Sequence, residues 1–168
     1  GKVIDIGAKL REITERIGSL EQVALVPWIE PRANLSLPCP TISYPDLLAA
    51  HAGSQLEFAQ LPFDHPLYIL FSSGTTGRPK CIVHGAGGTL IQHLKELLLH
   101  TDLRRKDRLF YFTTCGWMMW NWLVSGLAVG ATLILFDGSP FHPGPEVLWD
   151  MAAEEGVTQF GTSAKYIA

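Results

Sequence analysis

From Phe71 to Lys80 the sequence reads Phe-Ser-Ser-Gly-Thr-Thr-Gly-Arg-Pro-Lys, its densest run of small hydroxyl and glycine positions, closed by a proline and a cation. Gly74 and Gly77 let backbone amides turn toward an anion, Ser72, Ser73, Thr75 and Thr76 add hydroxyl donors, and Lys80 adds a compact positive charge. That combination suits the β- and γ-phosphates of a nucleotide. It is not a Walker A loop, which needs Gly, four residues and then Gly-Lys-Ser/Thr opening a helix. Arg78-Pro79 separates Gly77 from Lys80, and apolar runs on both sides predict that the loop tips a hairpin. On composition alone the same residues also suit a turn with solvating hydroxyls.

Other reactive side chains are dispersed. The six histidines are scattered, and His93 and His100 lack the i, i+4 spacing that would aim two imidazoles at one metal. Cys39, Cys81 and Cys115 form no C-x-x-C pair, so no zinc knuckle or disulfide framework is expected, and a reduced, cytoplasmic setting fits best. The net charge of −3 leaves no electrostatic footprint for nucleic acid. The one basic cluster, Arg104 to Arg108, is interrupted by Asp107 and reads as a solvated turn.

The elements that must position the loop follow from periodicity. Ile6, Leu10, Ile13 and Ile17 predict a helix over about 6–17, with Asp5 capping its start and Gly18 ending it in the left-handed conformation. A strand is expected over 22–28, then a linker around Pro31, Pro38 and Pro40, then a short helix over 43–50 capped by Ser43. Strands over 67–71 and 81–84 flank the loop. A helix over 88–100 follows, with Leu90, Leu94, Leu97 and Leu98 as its apolar stripe. Then come strand 109–113, helix 117–129, strand 131–136, helix 146–155 and strand 157–160. The succession β-α-β-α-β defines an α/β fold, a mostly parallel sheet with flanking helices plus the phosphate-loop hairpin.

Residues 109–136 hold no Asp, Glu, Lys or Arg and are long enough to cross a bilayer. Against a membrane span, Thr113 to Gly116, Asn121, Ser125-Gly126 and Gly130 cut the run into strand, helix and strand. With 47% apolar and 17% charged residues, the 168-residue chain can bury a sizeable core. Gly1 at the start and a nascent helix at Ser163 to Ala168 make both ends look cut.

The run Ser72 to Lys80 resembles the phosphate-binding signature of the adenylate-forming superfamily, which includes acyl-CoA synthetases, luciferases and peptide-synthetase adenylation domains. Further segments resemble its acetoacetyl-CoA synthetase branch: Ile82-Val83-His84-Gly85 with Gly87-Gly88, Phe112-Thr113-Thr114 with Gly116 to Asn121, Asp137 to Pro140, and Phe160 to Ala164. The likeness covers most of the chain from Leu67 and is thinner before it. Cys81 departs from the wider superfamily, where glycine commonly follows the lysine.

The resemblance implies a two-step ligase. A carboxylate attacks the α-phosphate of ATP, with Mg²⁺ bound, giving an acyl-adenylate and pyrophosphate; the thiol of coenzyme A then takes the acyl group. Acetoacetate is the expected acid, with acetate or propionate as alternatives, and a noncatalytic nucleotide-binding or membrane-associated module as the rival of another class. The resemblance places the ATP phosphates on Ser72, Ser73, Gly74, Thr75, Thr76, Gly77 and Lys80. It places Trp117 and Asn121 at an acyl pocket, with core packing as the other reading of both. Gly161, Thr162 and Ser163, at the carboxyl edge of the last strand, and His84 are candidates for the adenylate cavity. Lys2 matches a coenzyme A contact, though a solvated lysine suits the position too. All of 1–168 is expected to be an incomplete N-terminal, AMP-binding domain, with the catalytic lysine and the C-terminal domain beyond Ala168. The expected partners are small molecules, not nucleic acid or membrane.

Overall fold

The computed structural model describes residues 4–28, 35–72 and 77–168. Contacts divide the chain into two compact units, Gly1–Ala59 and Gln60–Ala168. In the first, helix α1 (Gly7–Arg16) opens with the Gly7 amide donating to Asp5 Oδ1 at 2.8 Å, the expected capping acceptor. Its end differs from expectation. Ile17 leaves the helical region at φ −109° and ψ 84°, and Gly18 takes no left-handed turn. Strand β1 (Val23–Leu25) is shorter than predicted and pairs in parallel with an unexpected strand, β2 (Thr41–Ser43). Pro40 does not forbid that pairing: it lacks an amide, but its carbonyl accepts from the Val23 amide at 2.9 Å. Helix α2 (Tyr44–Ala50) follows with Pro45 in its first turn. Ser43 precedes it, yet its side chain makes no capping bond.

In the second unit, strands β3 (Pro66–Ser72) and β4 (Lys80–Gly85) form the predicted antiparallel hairpin, closing with Ser72 opposite Lys80. Helix α3 (Ala86–Lys95) starts directly from β4. Its first amides are satisfied by main chain, Ala86 by the His65 carbonyl and Gly87 by the Phe63 carbonyl, both at 2.9 Å. A Cβ on Gly87 would sit 2.1 Å from the Phe63 ring, so only glycine admits this approach. The predicted helix over 88–100 therefore begins two residues early, at Ala86. It continues as a π-helical turn, Glu96–His100, in which the Thr101 amide reaches back to the Glu96 carbonyl at 3.0 Å.

Next come β5 (Arg108–Tyr111), α4 (Met118–Val124), α5 (Gly126–Val129), β6 (Thr132–Ile134), α6 (Val147–Glu154), β7 (Gln159–Gly161) and α7 (Ala164–Ile167). The three strands make a parallel sheet ordered β6-β5-β7, so the alternating α/β reading holds, with β5 central. Leu109 packs on one face with Leu97, Leu103, Leu123 and Ala131. Phe110, one residue on, faces the other way, 5.1 Å from the Phe160 ring, which stacks on Trp149 of α6 at 4.6 Å. The predicted single helix over 117–129 is two, broken at Ser125. A Cβ on buried Gly126 would lie 2.9 Å from Leu133, so the break lets main chain touch the sheet. Leu90 (45% exposed) does not join the stripe expected of it, whereas Leu97 is fully buried. The basic cluster is the expected turn, with the Arg104 amide donating to Asp107 Oδ2 at 2.6 Å. Among the described residues, no helix is long and apolar enough to cross a membrane.

Candidate active site

Ser72 and Lys80 are the last paired residues of the hairpin, so the chain between them leaves and returns at one point. Gly77 sits at φ +93°, a left-handed conformation that glycine adopts without strain. Lys80 is exposed, its ammonium free of any ion pair among the described residues. Ser73, Gly74, Thr75 and Thr76 lie outside the described residues, as does Lys2. Of the phosphate-loop set, the structure therefore describes the base and the returning arm.

Beside the hairpin opens a cleft of about 1170 Å³. Ser72 and His84 line it from the hairpin, Gly88, Gln92 and His93 from α3, and Trp117 with Met118, Met119 and Trp122 from the start of α4. Thus three of the predicted residues, Ser72, His84 and Trp117, meet in one cavity. Trp117 precedes α4 in an extended conformation and is 66% exposed, so its indole stands at the wall and is not core. His84 packs against Tyr68, ring centroids 5.2 Å apart. Asn121 does not line the cleft; Met118, Met119 and Trp122 present that side of α4, while the Asn121 carbonyl accepts from the Ser125 hydroxyl at 3.0 Å.

Gly161, Thr162 and Ser163, at the carboxyl edge of the sheet where β7 ends, do not line this cavity. A Cβ on Gly161 would lie 2.1 Å from Tyr111, whose ring lines the cleft. Gly161 thus sets where that ring can lie. Thr162 Oγ1 is buried without a hydrogen-bond partner among the described residues, at the edge where parallel sheets hold ligands.

His93, Gln92, Thr89 and Glu96 also line the cleft, residues that no sequence motif singles out. Their three- and four-residue spacing puts them on one helical face, a signal available once the helix is placed. His93 Nδ1 lies 2.8 Å from Ser125 Oγ. Burial, and then the positive form of nearby His84, hold the His93 imidazole below its ordinary pKa. Glu96 is held low chiefly by its hydrogen bond with Lys95. No three carboxylate, imidazole or thiol groups among the described residues come together as a metal cage.

An α/β unit whose glycine- and hydroxyl-rich hairpin opens beside a cleft has the features of a nucleotide-binding enzyme domain. The chain belongs to the AMP-binding enzyme family, whose model matches residues 12–166. Within that family it is similar to acetoacetyl-CoA synthetases. It is 57% identical to the one from Rhizobium meliloti (strain 1021), over 99% of this chain and 26% of that protein. It is 52% identical to the one from Mus musculus, over 95% of this chain and 25% of the relative. The structure of acetoacetyl-CoA synthetase from Streptomyces lividans superposes with a TM-score of 0.86 at 45% identity, covering 99% of this chain and 25% of that one. The chain spans about a quarter of the length of the relatives it matches.

Proposed function

We propose that this chain supplies the triphosphate-binding hairpin and part of the acyl cleft of an ATP-dependent acetoacetate–CoA ligase acting in the cytoplasm on small molecules. The observation that carries the reading is the hairpin itself, which closes at Ser72 and Lys80 beside a cleft walled by Trp117, in a chain about half identical to acetoacetyl-CoA synthetases. A carboxylate is a weak nucleophile approaching a polyanion, so charge management dominates adenylation. Ser72, Ser73, Gly74, Thr75, Thr76 and Gly77 donate to the β- and γ-phosphates, and Lys80 offsets charge moving onto pyrophosphate. The described residues make no Mg²⁺ cage of their own, and the ion enters as part of MgATP, the substrate.

Trp117 limits acid length, and the two methionines behind it give an apolar wall that a short acid can reach. His84 faces the same cavity. The assignment of Asn121, Gly161, Thr162 and Ser163 to the acyl and adenylate sites, and of Lys2 to coenzyme A, rests on the family resemblance. Presented with acetoacetate, acetate, propionate and butyrate, the full-length protein should form the CoA thioester of acetoacetate with the highest kcat/KM. Equal or greater use of acetate would transfer the reading to another short-chain synthetase, and ATP consumption with none of the acids would end it.

A further inference from the structure

Ser125 stands at the break between α4 and α5, and its single hydroxyl proton is directed to the Asn121 carbonyl at 3.0 Å. A carbonyl can only accept, so the 2.8 Å contact between the same oxygen and His93 Nδ1 is a bond in which Nδ1–H donates. With the hydroxyl proton on the carbonyl, the neutral ring carries its own proton on Nδ1 and a lone pair on Nε2. No other hydrogen bond to the His93 imidazole exists among the described residues, and His93 lines the cleft. The ionisable groups sharing that cleft are Tyr68 and His84 from the hairpin, Glu96 on the same helix and Tyr111 on β5; residues 118–129 hold none. An unpartnered acceptor in a substrate cleft calls for a donor that must give up its proton.

Resting on the ligase reading, we propose that His93 Nε2 accepts the proton of the coenzyme A thiol in the second half-reaction. The S–H bond breaks as the proton passes to Nε2. The sulfur attacks the acyl-adenylate carbonyl, a C–S bond forms, the C–O bond to the phosphate breaks, and AMP leaves with that electron pair. The imidazolium then returns its proton to solvent. A free thiol with a pKa near 8.5 is mostly protonated at neutral pH, so a neutral imidazole is a matched base. Burial and His84 both keep the ring neutral there.

The test separates half-reactions in the full-length protein. Acetoacetate-dependent ATP–pyrophosphate exchange without coenzyme A reports adenylation, and single-turnover transfer from preformed adenylate to coenzyme A reports the thiol step. His93→Gln should keep exchange within about twofold, slow transfer roughly a hundredfold and remove the acidic limb of its pH profile. Added imidazole should restore part of the rate to His93→Ala. Ser125→Ala, which leaves the ring in place but frees its tautomer, should slow transfer about tenfold with exchange intact, and it carries the test if the histidine variants do not fold. Equal loss in both half-reactions overturns the proposal, as does an unaltered limb in His93→Gln or a limb that disappears in His84→Gln instead. Absence of exchange in the unaltered protein overturns the ligase reading, and this inference with it.

Discussion

At the scale of single residues, close packing and charge give separate predictions. Gly87→Ala would drive a methyl into the Phe63 ring. Helix propensity favours alanine by about 1 kcal/mol, yet overpacking costs about 1–3 kcal/mol, so net destabilisation in urea unfolding is expected. Gly161→Ala meets the Tyr111 ring and should raise KM for the acid by pushing that ring into the cleft. Trp117→Gly removes the exposed indole at the cleft wall and should let butyrate or longer acids compete; an unchanged chain-length preference would return Trp117 to packing. His93 also links pH to stability. Because its folded pKa is lowered, the stability it contributes is complete above its ordinary value of 6.5 and is lost as pH falls toward the folded one. The urea midpoint should therefore fall more steeply on acidification in the unaltered chain than in His93→Gln.

At the scale of elements, the fold was most legible where two signals agreed. The hairpin had apolar strands on both sides of a glycine-rich turn, and its register duly closes at Ser72 and Lys80. The β5-to-β7 alternation was legible because buried central strands read as continuous apolar runs. What sequence missed was set by contacts distant in the chain. The break at Ser125 goes with Gly126 meeting Leu109 as well as Leu133, β2 depends on Val23 finding the Pro40 carbonyl, and the early start of α3 depends on Phe63 and His65 carbonyls. No local propensity encodes those partners. The candidate site divides the same way: Ser72, His84 and Trp117 were foreseen, while the polar face of α3 emerged only when the helix was set beside the hairpin. Leu97 and Leu123, both fully buried against β5, tie that helix and α4 to the sheet. Either changed to alanine should cost about 2–5 kcal/mol in chemical unfolding.

At the scale of the whole molecule, an AMP-binding family chain presents a hairpin, a cleft beside it and a parallel sheet. In chain order α3 and its π-helical turn, whose Leu97 is fully buried, link the hairpin to the sheet. Anything that shifts α3 along the sheet would move the loop relative to Trp117. In the proposed function the loop grips a triphosphate, and acetoacetate-dependent ATP–pyrophosphate exchange measures that grip. Thr76→Ala combined with Lys80→Ala in the full-length protein should lower the exchange rate about a hundredfold or more, with the unfolding midpoint unmoved. An exchange rate equal to that of the unaltered protein would contradict it.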